Sequence, residues 1–286
     1  MYPISRILVP VDFSERCLEM IPYAALLGAK YDAEILLLHA INPIYSIPAI
    51  GGIGPILVPL PESMIKAVSE RLDTFAADLL QGLNVKRLVY EGDPVEQVTE
   101  FAESGNVQLV VVPTHGHGMV RRFLLGSVTA KILHDVPCPV LTSRQPETSP
   151  KAIHRILCAV DLRPPSQGIL TWASQMARDL GATLSIVHVV PRLHSHLDQE
   201  LAPTARLAEE SDARARLVAL VTELDEEVAP ACDTYVQEGE VIATISSLAH
   251  SINADLLVIG RGREADGIKP TGYSIIRQAP CAVLSV

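Results

Sequence analysis

Aromatic side chains are scarce in this chain of 286 residues: one Trp, four Phe and seven Tyr, 4% in all. The core must therefore be aliphatic, and the Val, Ile, Leu and Ala spread throughout suit sheets covered by helices. No apolar run reaches the ~18 residues that a membrane-spanning helix needs. The opening MYPISRILVP has no basic stretch followed by an apolar core, so no secretory leader is expected. An excess of positive charge is also lacking. The net charge of −10 and pI of 5.4 argue against a general binder of nucleic acid or of anionic membranes. The five cysteines, Cys17, Cys138, Cys158, Cys232 and Cys281, are odd in number and contain no C-x-x-C pair. They predict buried reduced thiols rather than a disulfide framework. Together these absences predict a soluble, cytoplasmic protein.

Against that background one stretch carries chemistry: Gln108 to Ser127, QLVVVPTHGHGMVRRFLLGS. Leu109 to Val112 is a continuous apolar run, the pattern of a strand buried on both faces of a parallel sheet. It stops at Pro113, a loop with Gly116 and Gly118 follows, and after Gly126-Ser127 the segment Val128 to His134 reads as a helix. Glycines let backbone N–H groups approach a phosphate, and a helix N-terminus adds unpaired donors and a positive dipole end. Arg121-Arg122 is a local basic spot beside them.

Taken in order, Arg6 to Asp12 reads as a buried strand ending in a carboxylate, and Ser14 as the N-cap of a helix over Glu15 to Lys30, ending near Gly28. Glu34 to His39 is a second strand. Asn42 to Pro61, with five prolines and three glycines, predicts no regular element. Its Ile, Leu and Val content marks it as a lid or contact surface. A helix is predicted from Glu62 to Leu80 and a strand from Val85 to Tyr90. Asp93 reads as N-cap and Pro94 as the first residue of a helix to Ser104. Pro139 to Thr142 gives a fifth strand.

The same order then recurs. Arg155 to Asp161 mirrors Arg6 to Asp12 (161 − 12 = 149), and His188 mirrors His39 at that offset. Glu238-Gly239-Glu240 mirrors Glu91-Gly92-Asp93, and Leu256 to Gly260 mirrors Leu109 to Pro113, both at 239 − 92 = 147. Pro280-Cys281 mirrors Pro137-Cys138. Five matched elements in one order are a tandem duplication, each half β-α-β-α-β-α-β-α-β, which predicts an α/β fold with a five-stranded parallel sheet per half. The linker falls near Ser143 to Ala152, giving domains over 1–145 and 152–286.

ILVPVDFSE, EGDP, the strand running into THGHG, LLGSV and VPCPVL resemble the universal stress protein family, and ILCAVD, VHVVP, EGE, LLVIG and APCAVL look like a second copy. The resemblance covers nearly the whole chain. It implies two tandem flavodoxin-like (Rossmann-like) doubly wound domains with strand order 3-2-1-4-5, in which ligands bind beyond the carboxyl ends of strands 1 and 4. ATP-binding members carry G-x-x-G, nine residues, then G-S or G-T. Here Pro113-Thr114-His115-Gly116 is followed by nine residues and Gly126-Ser127, so Pro113 stands where the family has its first glycine. What the resemblance implies is that Asp12 accepts hydrogen bonds from the nucleoside, Val11 and Ala40 pack the base, Gly116 and Gly118 admit the phosphates, and Gly126 and Ser127 bind the outer phosphates. Pro113, Thr114 and His115 form the start of that loop. The expected ligand is ATP, with Mg²⁺ as its companion ion, although the sequence does not separate ATP from AMP or another adenine nucleotide.

In the second half Gly260-Arg261-Gly262-Arg263 begins well, but no G-S step follows. The interval to the next Pro-Cys shrinks from 137 − 113 = 24 to 280 − 260 = 20 residues. Asp161 is then a relic, or serves another anion with Arg261 and Arg263. The pairs His115/His117 and His194/His196 lack an accompanying carboxylate or cysteine cluster, so no metal site is expected. The helix Thr204 to Glu227, with Leu207, Leu217, Leu220, Val221 and Leu224, reads as a covering helix. No general base or dedicated metal ligand stands out, which predicts at most slow ATP hydrolysis rather than an enzyme.

Two readings follow. One is a stress-response or signalling module that binds an adenine nucleotide in its first domain. The other is an interaction or scaffold protein of the same fold with both sites lost. Pro113 and the shortened second loop favour the latter; the spacing of Gly116 and Gly126-Ser127 favours the former. The resemblance further implies a pseudo-dimer of the two domains through their last strands, Val140 to Thr142 beside Val283 to Val286, with a homodimer as a further assembly.

Overall fold

The computed structural model describes residues 4–42, 46–47, 56–57, 60–114, 125–143, 152–164, 166–191, 202–224, 232–261 and 270–286. They form two compact units, one built mainly from residues 1–140 and the other chiefly from 151–286.

In the first unit the apolar run of Arg6–Pro10 is β1, followed by α1 (Glu15–Tyr31), β2 (Glu34–Ile41), the two-residue strands β3 (Ser46–Ile47) and β4 (Ile56–Leu57), and α2 (Glu62–Thr74). A 3₁₀ turn (Asp78–Leu80), β5 (Val85–Glu91), α3 (Pro94–Ser104), β6 (Leu109–Pro113), α4 (Ser127–Asp135) and β7 (Val140–Ser143) complete it. The sheet order is β5-β2-β1-β6-β7. β1 pairs in parallel with β2 and with β6, and β2 in parallel with β5. The chain therefore leaves β1 in one direction and returns on its other side, which makes the β1/β6 boundary the switch point. α1 packs on β1, β2 and β6, while α3 packs on β1, β2 and α4. Leu109, Val110 and Val111 are wholly buried, as an all-apolar run covered on both faces should be.

Some local expectations change, each for a physical reason. Gly28 does not end α1. It lies inside the helix, where a Cβ would come within 2.7 Å of Ile35 Cδ1, so glycine stands there for close packing. The helix ends instead at Asp32, left-handed at φ 51°, whose N–H returns to the Gly28 carbonyl. The predicted helix to Leu80 stops at Thr74, because Phe75 turns extended and Ala76 sits at φ 54°. Asn42 to Pro61 does hold a regular piece: β3 and β4 pair antiparallel, Ser46 with Leu57 and Ile47 with Ile56. Asp93, by contrast, caps α3 as expected, accepting from the N–H groups of Val95 and Glu96.

The second unit repeats the plan with β8 (Arg155–Ala159), α5 (Ser166–Leu180), β9 (Thr183–Pro191), α6 (Ala202–Thr222), β10 (Cys232–Gly239), α7 (Val241–Ser251), β11 (Leu256–Ile259), α8 (Pro270–Gln278) and β12 (Ala282–Ser285). Its order is β10-β9-β8-β11-β12, and each neighbouring pair is parallel. α6 packs on β9 and β10, with Leu217 buried; the helix ends at Thr222 rather than running to Glu227, and Leu224, buried too, lies just beyond it. Leu207, expected on that covering face, is instead 67% exposed. It lies nearly three turns before Leu217 and outside the buried stripe.

Candidate functional site

At the end of β1, Val11 is buried, and its N–H donates to the Leu38 carbonyl at 2.8 Å. Its own carbonyl lies 2.6 Å from His39 Nδ1. A carbonyl only accepts, so that nitrogen carries the hydrogen. The next residue, Asp12, receives both the N–H and the hydroxyl of Ser14 on Oδ1, at 2.9 and 2.6 Å. Ser14 Oγ in turn accepts from the Cys17 N–H at 3.1 Å, as the N-cap of α1. The tight return from Asp12 to Ser14 passes through Phe13, left-handed at φ 60°. Ala40, half-buried on β2, sits opposite Tyr90 of β5.

Across the switch point, β6 ends at Pro113, and Thr114 beyond it is 1% exposed. β1 and β6 run parallel, with Leu8 opposite Val110, so Asp12 and Thr114 follow the same ends of two neighbouring strands. Two bonds bring the start of α4 back to this strand end: the Gly126 N–H donates to the Thr114 carbonyl, and Thr129 Oγ1 donates to the Pro113 carbonyl, both at 2.8 Å. Gly126 is the N-cap, with no side-chain cap bond and φ −60°, an angle open to any residue. Backbone strain therefore does not require glycine there. Ser127 is exposed at the first helical position. The first N–H groups of α4 have no acceptor within the helix and carry its positive dipole end. His115, Gly116, Gly118, Arg121 and Arg122 lie outside the described residues.

The structure thus brings Val11, Asp12, Thr114, Gly126 and Ser127 to neighbouring strand ends of one unit, with Ala40 on the adjoining strand. Chemically this is one carboxylate, a small apolar wall and a helix N-terminus, suited to a ligand with hydroxyls at one end and negative charge at the other. Among the described residues no group of three His, Cys, Asp or Glu could hold a metal ion. The pairs His115/His117 and His194/His196 lie outside the described residues.

The second unit repeats the frame with different chemistry. His188 Nδ1 lies 2.9 Å from the Val160 carbonyl, and Leu162 is left-handed at φ 57°. Asp161, bonded like Asp12 by the chain that follows it, also carries an arginine: Arg163 Nε is 2.9 Å from Oδ2, while the Arg163 N–H and Ser166 Oγ reach Oδ1 at 3.1 and 3.2 Å. At Gly260 a Cβ would fall 2.3 Å from Ile169 Cδ1, so a side chain occupies the space beside the glycine. Arg261 is buried at the end of β11, its N–H donating to the Val286 carbonyl; Gly262 and Arg263 lie outside the described residues.

Sequence reasoning missed Arg71 of α2, whose guanidinium lies 4.1 Å from the centroid of the Phe13 ring. The sequence does not single it out, because Arg-Leu also occurs at Arg87-Leu88, Arg192-Leu193 and Arg206-Leu207. Arg71-Leu72 recurs as Arg216-Leu217, and both leucines are 1% exposed.

The model of the universal stress protein family matches this chain twice, over residues 3–144 and 152–286. The chain belongs to the universal stress protein family. Among curated members, one from Methanocaldococcus jannaschii is 28% identical over 147 residues, covering 50% of this chain and 83% of its own. A universal stress protein A homolog from Coxiella burnetii is 31% identical over 139 residues, covering 48% and 93%. Such members match one half of this tandem chain. The crystal structure of a universal stress protein from Archaeoglobus fulgidus spans both halves, covering 99% of this chain and 98% of its own with a TM-score of 0.69 and 22% identity. It shares the fold. Among the described residues of this family member, no helix is long and apolar enough to cross a membrane.

Proposed function

We propose that this tandem universal stress protein binds one adenine nucleotide, ATP in the first instance, in its first domain (residues 1–145) and acts as a stress-response module with little turnover. The observation that carries the reading is the pair of bonds from Gly126 N–H to Thr114 and from Thr129 Oγ1 to Pro113. They hold the N-terminus of α4 at the end of β6, the strand next to β1, and the ends of such strands are where anionic ligands of doubly wound sheets bind. Asp12 would accept from the nucleoside, Val11 and Ala40 would pack the base, and Gly126 and Ser127, with His115, Gly116 and Gly118 of the loop, would hold the phosphates. Pro113 supplies only its carbonyl, already taken by Thr129. In the second domain (152–286) Arg163 on Asp161 and Ile169 beside Gly260 argue against the same ligand.

The deciding experiment is mass spectrometry of nucleotide released on denaturing the purified protein, with Gly126→Asp in parallel. An acidic side chain there repels phosphate and crowds the helix start. About one adenine nucleotide per chain, lost in the variant, is the expected outcome. Two per chain would extend binding to the second domain. None, with no binding when ATP and Mg²⁺ are added back, would overturn the reading in favour of a scaffold protein.

A further inference from the structure

The residue after the strand-end aspartate is left-handed in both halves, Phe13 at φ 60° and Leu162 at φ 57°. Neither is a glycine. A bulky residue in that region is strained, so something must hold it there. In the first half the Phe13 ring is packed from three sides: Arg71 over its face at 4.1 Å, His39 tilted at 4.6 Å and Phe75 edge-on at 5.6 Å. His39 itself bonds the Val11 carbonyl, so the cluster grips both sides of Asp12. In the second half there is no ring at the equivalent position. There Arg216 Nη2 of α6 donates instead to the Leu162 carbonyl at 2.9 Å. Arg71 and Arg216 stand at matching places, each just before a buried leucine on the second long helix of its half (216 − 71 = 145, 217 − 72 = 145). Two different interactions thus tie the same helix position to the same backbone position. In each half an arginine of that helix meets the residue after the aspartate, by a ring stack in one and a hydrogen bond in the other.

We infer that Arg71 is a positioning residue for the first-domain ligand site: from α2 it clamps Phe13 in its left-handed turn, and so fixes Asp12 and the Ser14 cap in the orientation that receives a nucleoside. This rests on the adenine-nucleotide reading for its ligand, but not for the clamp itself. The side-chain contact of Arg71 is with the Phe13 ring, so its effect runs through the Asp12–Ser14 turn. Glycine at position 13 would adopt the backbone freely and lose the stack. Removing Arg71 keeps the strain and loses its restraint.

The test uses the full chain and six proteins: the parent, Arg71→Ala, Arg71→Lys, Phe13→Gly, the double variant Phe13→Gly/Arg71→Ala, and Arg87→Ala. Arg87 Nε also ties the C-terminal turn of α2, through the Leu72 carbonyl at 3.0 Å, without touching Phe13. Hydrogen exchange on ligand-free protein and ATP affinity by calorimetry are the readouts, with global stability measured alongside. The clamp predicts faster exchange at the Ser14 and Cys17 amides in Arg71→Ala, and ATP binding weakened about three- to thirtyfold. Arg71→Lys, which keeps a cation over the ring, should recover much of both. Phe13→Gly should weaken ATP like Arg71→Ala, and the double variant should be no worse than either. Equal loss of affinity in Arg87→Ala would overturn the proposal, since general loosening of α2 would then suffice. Unchanged exchange in Arg71→Ala would overturn it whether or not ATP binds. If the parent binds no ATP but the exchange difference is present, the clamp stands and only the nucleotide reading falls.

Discussion

Ser14 gives Asp12 two hydrogen bonds on a single oxygen, one from its N–H and one from its hydroxyl, while that same hydroxyl accepts from the Cys17 N–H. One serine side chain thus starts α1 and orients the strand-end carboxylate. Ser14 itself is buried, so water cannot easily replace it.

Ser14→Ala should therefore cost more than an ordinary cap. Losing an N-cap hydroxyl costs about 1 kcal/mol, and the charge-assisted bond to Asp12 raises this toward 2 kcal/mol. Urea denaturation checks it. A loss under about 0.5 kcal/mol would mean the Asp12 turn is held by other contacts. Ser14→Thr, which keeps the hydroxyl, should retain most of the stability.

The periodic parts of this molecule were readable because their causes are local. The all-apolar run at Leu109 requires a doubly covered strand, and Asp93-Pro94 is a cap followed by a residue with no N–H to satisfy, so α3 begins where the sequence places it. The same turn in the second half is capped by Glu240, whose longer side chain still reaches the Ile242 and Ala243 N–H groups. What was not readable depends on partners distant in sequence. Gly28 looks like a helix stop until Ile35 is seen against it, and the bend at Ala76 lies in a stretch that carries no breaker. Phe13 gives no sign of φ 60° because a bulky residue rarely adopts it, and its neighbours Arg71, His39 and Phe75 come from distant parts of the sequence. At the candidate site, Asp12 and the Gly126-Ser127 step were legible as motif, whereas the Thr129 bond to Pro113 needed the folded chain.

On α6, Leu207→Ala and Leu217→Ala should separate by a wide margin. Leu217 is 1% exposed and Leu207 67% exposed. Truncating the first should cost about 2–5 kcal/mol, the second under about 0.5 kcal/mol. Paired thermal melts measure it. Similar losses at both positions would require a covering partner for Leu207.

The thiols predict an alkaline limit to stability. Burial pushes Cys17 and Cys281 from the ordinary 9.0 up to about 12, and Cys158 higher still; Asp12 adds repulsion at Cys17 and Asp255 at Cys281. In each case the folded state holds its proton where the unfolded state releases it. The stability contributed is full below pH 9 and falls as pH rises toward about 12. Each such group can remove up to about 1.4 kcal/mol per pH unit in that window. Denaturation curves at pH 8, 9.5 and 10.5 (chosen about the ordinary thiol value) should show the decline, with a shallower slope in Cys158→Ala. An equal slope in that variant would assign the decline to other groups. At pH 8, Cys232, only partly buried, should label before the buried Cys17, Cys138 and Cys158.

Gly28→Ala sets two effects against each other. Alanine inside a helix gains about 1 kcal/mol over glycine. Its Cβ, however, would stand 2.7 Å from Ile35 Cδ1 and 3.1 Å from Cγ1, and Ile35 is wholly buried, with close-packed neighbours on its other sides. Overpacking of this kind costs about 1–3 kcal/mol, so the single variant should lose about 1 kcal/mol net. Ile35→Val removes Cδ1 and alone costs about 1 kcal/mol. Once that methyl is gone, the introduced alanine can collect its helical gain, and the double variant should be no less stable than Ile35→Val, a coupling of about 1–2 kcal/mol. Chemical denaturation of the four-member cycle measures the coupling directly. Additive losses would show that the helix and β2 separate freely, and a stabilised Gly28→Ala would show that glycine here serves no packing need at all.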